Sequence, residues 1–257
     1  MPTNKALGQH WLQDRDILAR IADVGQITKD DTVLEIGPGL GTLTSELLRR
    51  AKRVVAVEFD EALAAKLPGQ FPGTALEVVH QDILSYDLSQ LPTGYIVVAN
   101  VPYYITSKII DRLMTADNKP VRSVLLVQKE VAERIAAGPG NMSLLALSAQ
   151  LYTRARLDCE VPREYFTPPP KVDSQVVVLE ALDEPAIPMS DHKALWRLAH
   201  AGFANKRKKL RSSLSAGLGR PVADIEQALV AAGIDPNLRA QALSIDDWHR
   251  LVGILDV

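Results

Sequence analysis

The decapeptide Thr32-Val33-Leu34-Glu35-Ile36-Gly37-Pro38-Gly39-Leu40-Gly41 decides how this 257-residue chain is read. Its first half is short, apolar and β-branched, which predicts a strand. Its second half is a glycine turn. Thr42 to Ala51 follows with Leu43, Leu47 and Leu48 on one helical face. Glycines let a backbone pass close to a ligand and adopt angles that other residues resist. The free N–H groups and partial positive charge at a helix N-terminus can receive a carboxylate or a phosphate. The next apolar run, Arg53 to Val57, ends at Glu58, about 20 residues past the glycines, where an acid suits a ribose diol. The spacing Glu-x-Gly-x-Gly-x-Gly is not the Gly-x-Gly-x-x-Gly of dinucleotide sites. A generic α/β turn and a nicotinamide site with altered spacing are the alternatives at this stage.

Toward the N-terminus, Ile17, Leu18, Ile21 and Val24 form a helical stripe, with Asp14 as its predicted N-cap and Gly25 near its end. Toward the C-terminus, Ala75 to Val79 reads as a third strand. Asp82 lies just past it, where its carboxylate can accept an amine, although a lone Asp is also a common turn cap. The fourth strand, Tyr95 to Ala99, runs into Asn100-Val101-Pro102-Tyr103-Tyr104-Ile105-Thr106. Asn100 offers an amide acceptor and donor. Pro102 biases Val101 to an extended conformation, so the Val101 carbonyl can point outward. Tyr103 offers a flat face for stacking. Two acceptors and a stacking face suit a nucleobase with an exocyclic amine; the plain alternative is a strand followed by a Pro turn.

Thr106 is expected to cap a helix with core face Ile109, Ile110, Leu113 and Met114. Val124 to Val127 is a fifth strand, Glu130 to Ala137 a short helix broken by Gly138-Pro139-Gly140, and Leu144, Leu147 and Leu151 mark another helix. Arg154 to Val161 and Ser174 to Glu180 are the sixth and seventh strands. Between them, Phe166-Thr167-Pro168-Pro169-Pro170-Lys171 is a stiff extended loop. Its Phe166 ring is expected either to cover a target base opposite Tyr103 or to pack the loop onto the core. Alternating strands and helices imply an α/β, doubly wound sheet covered on both faces, with ligands at the carboxyl ends of the strands.

Pro185 to Pro188 reads as a linker. It divides the chain into an expected domain of residues 1–184 and a small all-α domain of residues 185–257. The net charge is −2 and the pI near 6.2, so any nucleic-acid surface must be local. Residues 191–220 carry eight Lys or Arg and one acid, whereas residues 221–257 carry two and six. Lys206, Arg207, Lys208, Lys209 and Arg211 are therefore expected to contact phosphates, the alternative being a solvated face. The single cysteine, Cys159, excludes an internal disulfide and a Cys-rich metal site. No run approaches a membrane span and no signal-peptide core is present, so a cytoplasmic protein is expected.

Taken in order, Gly8 to Leu12, Glu35 to Gly41, Glu58, Asp82, Asn100 to Tyr103, Phe166 to Ser174 and Phe203 to Leu214 resemble the ribosomal RNA adenine N6,N6-dimethyltransferases, closest to the small-subunit (16S) type. The resemblance implies a Rossmann-like class I methyltransferase domain with a seven-stranded sheet, plus a small helical C-terminal domain. It implies methyl transfers from S-adenosylmethionine to two adjacent adenosines near the 3′ end of 16S rRNA, within an immature small subunit, by a monomer that needs no metal. Carried over by motif, His10 and Leu12 border the cofactor, Gly37 and Gly39 lie in its loop, Glu58 takes the ribose and Asp82 the adenine amine. Asn100 joins cofactor and target, and Val101, Pro102, Tyr103 and Phe166 complete the catalytic set. His10-Trp11 in place of the commoner Asn-Phe, and Leu144-Leu145 in place of Tyr-Gly, depart from the family pattern. The nearest alternatives are a large-subunit (23S) rRNA methyltransferase of the macrolide-resistance type, which is usually more basic throughout, and a ribosome-assembly factor that does not depend on catalysis.

Overall fold

A computed structural model describes residues 10–255, apart from the Tyr103 side chain. Gly8 and Gln9, which belong to the N-terminal motif, lie outside the described residues.

The chain separates into two compact units, one comprising residues 1–133 and 154–181 and the other 134–153 and 182–257. Sequence alone suggested one boundary at 184/185; the compact units interleave instead, because residues 134–153 pack with the C-terminal helices.

The first unit holds the sheet. Its elements begin with β1 (Trp11–Leu12), α1 (Arg15–Val24), β2 (Thr32–Ile36), α2 (Thr42–Arg50), β3 (Arg53–Glu58), α3 (Glu61–Lys66) and β4 (Leu76–His80). They continue with β5 (Ile96–Asn100), α4 (Thr106–Thr115), β6 (Arg122–Gln128) and α5 (Lys129–Ile135), whose last residues enter the second unit. After α6 (Leu144–Gln150) of the second unit come β7 (Thr153–Val161), β8 (Phe166–Thr167) and β9 (Ser174–Ala181). Seven strands form one sheet in the order β4-β3-β2-β5-β6-β9-β7. The pairs from β4 through β6 are parallel, and β6 with β9 is antiparallel.

All five residues of β2 are buried, as expected of a parallel strand covered on both faces. The core beneath joins Val33, Val54, Ile96, Val124 and Val178 with Leu18, Ile21, Leu43 and Leu47 from the covering helices. The α1 cap is the predicted one: Asp14 Oδ1 accepts from the N–H groups of Asp16 and Ile17 at 3.1 and 3.0 Å. Thr106 is not the cap of α4 but its first residue, and its hydroxyl donates back to the Pro102 carbonyl at 3.3 Å. A two-residue ribbon went unread in the sequence: β1 pairs antiparallel with β8, Trp11 facing Thr167 and Leu12 facing Phe166.

The second unit adds α7 (His192–Phe203), α8 (Leu210–Leu218), α9 (Val222–Ala231) and α10 (Ile245–Ile254) to α6. A Ser244–Asp247 capping box starts α10. Trp248 of α10 is fully buried against α7, where a Cβ at Gly202 would stand 2.6 Å from its ring. A glycine is what lets the ring approach the helix there.

Candidate active site

Three parallel strands, β2, β3 and β5, deliver their carboxyl ends to one cleft. The turn after β2 places Gly37, Gly39 and Gly41 at φ of 67, 58 and 79°, the left-handed region that favours glycine. At Gly39 a Cβ would stand 2.2 Å from the Trp11 ring. At Gly37 a Cβ would meet nothing within 4 Å, so its backbone faces open space in the cleft.

Glu58, 7% exposed, ends β3 and clamps this turn. Its Oε2 accepts the Gly39 N–H at 3.0 Å and its Oε1 the Asp60 N–H at 2.8 Å. Burial raises the Glu58 pKa, and these backbone donors pull it back. Each carboxylate oxygen has a second lone pair, so the clamp does not prevent two further hydroxyls from binding. Glu58, Gly37, Phe59, Pro102 and Tyr104 are common to two adjoining lobes of the cleft. Phe59 and Tyr104 are 58% and 62% exposed and supply aromatic faces at the mouth. Asp82 lines the second lobe; its Oδ1 accepts the Leu84 N–H at 2.9 Å, which leaves Oδ2 as an acceptor.

Asn100 closes β5. Its Nδ2 donates to the His10 carbonyl at 3.4 Å, which leaves Oδ1 as an acceptor. Val101 donates its N–H to the Leu126 carbonyl at 3.1 Å, whereas its own carbonyl accepts no hydrogen bond among the described residues. The Pro102 carbonyl, by contrast, is occupied by the Ile105 N–H and the Thr106 hydroxyl. Two unfilled acceptors therefore stand on consecutive residues. The stacking role expected of Tyr103 lies outside the described side chains.

The N-terminal segment is pinned to the same place. His10 Nδ1 lies 2.7 Å from the Pro168 carbonyl; a carbonyl only accepts, so Nδ1 carries the proton. The Thr42 hydroxyl donates to the Leu12 carbonyl at 2.9 Å. His10 and Leu12 thus line the cleft. The expectation that Phe166 covers a base is corrected. Its ring is 2% exposed and packs in the core with Leu12, because the β1–β8 pairing draws the loop inward.

Sequence reading missed several lining residues. Glu35 is 1% exposed and lines the cleft, and its Oε2 has no hydrogen-bond partner. The Thr44 hydroxyl lies beside the Glu35 carboxyl and partly offsets the effect of its burial. Burial pushes the Glu35 pKa up to about 8, so it is a neutral acid at pH 7. Phe59, beside Glu58 at a strand end, was legible as a candidate. The Thr42–Leu12 bond left no local signal.

In the second unit the five basic residues are not equivalent. Lys206, Arg207 and Lys208 are exposed and make no side-chain bond to a described residue. Lys209 Nζ donates to Asn237 Oδ1 at 2.8 Å, and Arg211 pairs with Glu226 at 2.5 Å. Among the described residues no group of His, Cys, Asp and Glu is gathered as metal ligands, and no helix is long and apolar enough to cross a membrane.

The chain is similar to known proteins over nearly its whole length. Residues 2–256 match the family model of ribosomal RNA adenine dimethylase. A protein of Dehalococcoides mccartyi named ribosomal RNA small subunit methyltransferase A is 40% identical over 255 residues, 98% of this chain and 88% of that one. One of the same name from Geobacillus kaustophilus is 40% identical over 98% of this chain and 90% of its own. Among solved structures, a dimethyladenosine transferase from Plasmodium falciparum superposes with a TM-score of 0.80 at 28% identity, covering 95% of this chain and 99% of that one. The 23S rRNA methyltransferase ErmE gives 0.78 at 30% identity, covering 96% and 100%.

Proposed function

Because the chain belongs to the ribosomal RNA adenine dimethylase family, we propose that it transfers methyl groups from S-adenosylmethionine to N6 of two adjacent adenosines near the 3′ end of small-subunit rRNA. The observation that carries the chemistry is the pair of unfilled acceptors, Asn100 Oδ1 and the Val101 carbonyl, at the edge of a cleft that also holds Glu58. The small subunit is favoured over the large because relatives at 40% identity bear the small-subunit name, against 30% for the 23S enzyme.

The residues present fit the cofactor. Gly37 leaves open space where a methionine chain needs it, Glu58 is a buried carboxylate for a diol, and Glu35 holds an orphaned buried oxygen on the cleft wall. Asp82 Oδ2 is an acceptor for an adenine amine, and Phe59 a face for its ring. When bound, S-adenosylmethionine supplies a methyl group on a sulfonium, already a strong electrophile.

What this chain must supply is the nucleophile. The target amine delocalises its lone pair into the adenine ring. Asn100 Oδ1 accepts one of its hydrogens and the Val101 carbonyl the other, which favours a pyramidal nitrogen and stabilises the ammonium that develops. No side chain need act as a strong base, because the proton becomes acidic after transfer and leaves to water. The His10 carbonyl fixes Asn100 with its acceptor toward the amine. Lys206, Arg207 and Lys208 hold rRNA phosphates, which position the particle without reading sequence. The substrate is the immature small subunit in the cytoplasm, met by a monomer without a metal. Tritiated methyl transfer to unmethylated small subunits, large subunits and DNA, followed by mapping of the label, tests this reading; label mapped only to large-subunit RNA or DNA would overturn it.

A further inference from the structure

The helical unit carries a cavity of its own. It is bounded by Asn141 to Leu145, by Gly202 and Phe203 at the end of α7, and by Gln241, and its volume is about 300 Å³. That is at the lower end of the range of ligand sites. Its walls are built. The N–H groups of Gly140 and Met142 donate to the Gln241 carbonyl at 2.8 and 3.0 Å, and Gln241 Nε2 donates to the Gly140 carbonyl at 2.9 Å. The Ser143 hydroxyl accepts the Ala146 N–H at 3.1 Å and starts α6. On the far side, Trp248 packs against Gly202 and Phe203, its ring centroid 5.7 Å from that of Phe203.

The lining has a consistent chemistry. Leu144, Leu145 and Phe203 are half-buried and give it an apolar, partly aromatic floor. Arg134 and Lys206 stand on its rim, exposed, and neither makes a side-chain bond to a described residue. The side-chain amides of Asn141 and Asn205 also make no bond to a described residue. No Asp or Glu lines the cavity. Two uncommitted cations, amide donors and acceptors, and a floor with an aromatic face complement an anion joined to a planar polar ring.

We propose that this cavity takes one unstacked nucleotide of the small-subunit rRNA, distinct from the adenosines that are methylated. Arg134 and Lys206 hold its phosphate, Phe203 and the leucines bear its base, and the amides meet the base edge. The inference rests on the rRNA reading above. Unstacked bases held on aromatic and apolar side chains are how proteins recognise single-stranded RNA. Such a subsite gives the helical unit shape selectivity that phosphate contacts lack.

The test places the photo-crosslinking residue p-benzoylphenylalanine at Leu145 and, as a control outside the cavity, at Val222. Each variant is bound to unmethylated small subunits and irradiated, and the crosslinks are mapped by reverse transcription. The expected result is a single rRNA stop from position 145, apart from the methylated adenosines, absent from position 222 and lost when Arg134→Glu is added. A crosslink to a ribosomal protein, or none while particle binding persists, overturns the proposal. In parallel, Arg134→Glu should raise KM for small subunits by roughly tenfold or more while the S-adenosylmethionine Kd stays fixed, and Arg134→Lys should recover most of the loss. An unchanged KM also overturns it. If the wild-type protein methylates no small subunits, the function proposed above fails instead, and the crosslink, which needs no transfer, still decides the cavity.

Discussion

The Glu58 carboxylate accepts the Gly39 N–H at 3.0 Å, so the acid ending the second parallel strand holds the glycine turn of the first. One side chain thereby fixes the shape of the loop and is the one proposed to receive a ribose. Glu58→Ala should weaken S-adenosylhomocysteine binding by ~2–3 kcal/mol, because a charged acceptor is lost and two backbone donors are released. Isothermal titration reads this directly. An unaltered Kd would remove Glu58 from the site.

Asn100→Ala should lower methyl transfer at least ~100-fold, since an acceptor for the developing ammonium disappears. Sedimentation with small subunits should be little changed, because the basic residues proposed to hold phosphates lie in the helical unit. Loss of particle binding in parallel with transfer would mean that Asn100 docks the RNA and does not activate it.

Glu35 predicts a pH effect whose sign follows from burial. Its folded pKa is about 8, above the ordinary 4.5. Between these values the folded state keeps a proton that the unfolded state has released, so stability falls as pH rises through that window and levels off above it. Glu35→Gln should remove this slope and be the more stable form at pH 8, by on the order of a few kcal/mol. Urea denaturation of both proteins at pH 5, 7 and 8.5 tests it; parallel profiles would show that the carboxyl is already ionised in the fold.

Replacing Lys206, Arg207 and Lys208 together by Gln should flatten the salt dependence of small-subunit binding by roughly 2–3 units, if all three touch phosphate. Arg211→Gln should leave the slope nearly unchanged, because Arg211 is paired with Glu226. Its loss should cost folding stability no more than about 1 kcal/mol, as for other partly exposed pairs. A slope that responds to Arg211 and not to the triple variant would reverse this assignment.

Phe166→Ala should destabilise the protein by ~3–5 kcal/mol through the cavity left in the core. Phe166→Leu should cost less and keep the turnover of the folded enzyme. Full stability combined with slow transfer in the leucine variant would return the ring to the active site.

The elements of the sheet were legible because their signals are local. The run from Thr32 to Ile36, the glycines after it, Glu58 at the end of the next strand and Asn100 before Pro102 each carry strand period or turn chemistry within a few residues. A parallel sheet then brings such strand ends to one edge whatever the intervening lengths. The Asp14 cap was legible for the same reason. What sequence by itself determined is therefore the order of elements, the strand edge that holds the cleft and the family to which the chain belongs.

Tertiary structure decided everything that depends on partners distant in the chain. His10 meets Pro168 across 158 positions, and the ribbon formed by that encounter turns Phe166 into the core, where a stiff proline loop alone left two orientations open. Glu35 looks like any acid in a motif until both faces of its strand are covered; the desolvation that follows makes it neutral. Lys209 and Arg211 look like their neighbours until the fold brings Asn237 and Glu226 beside them. Residues 134–153 lie between two strands of the sheet in sequence yet pack with the C-terminal helices and build the second cavity there. Periodicity records which face of an element is apolar, but not what covers it, and burial, pairing and acidity are properties of the cover.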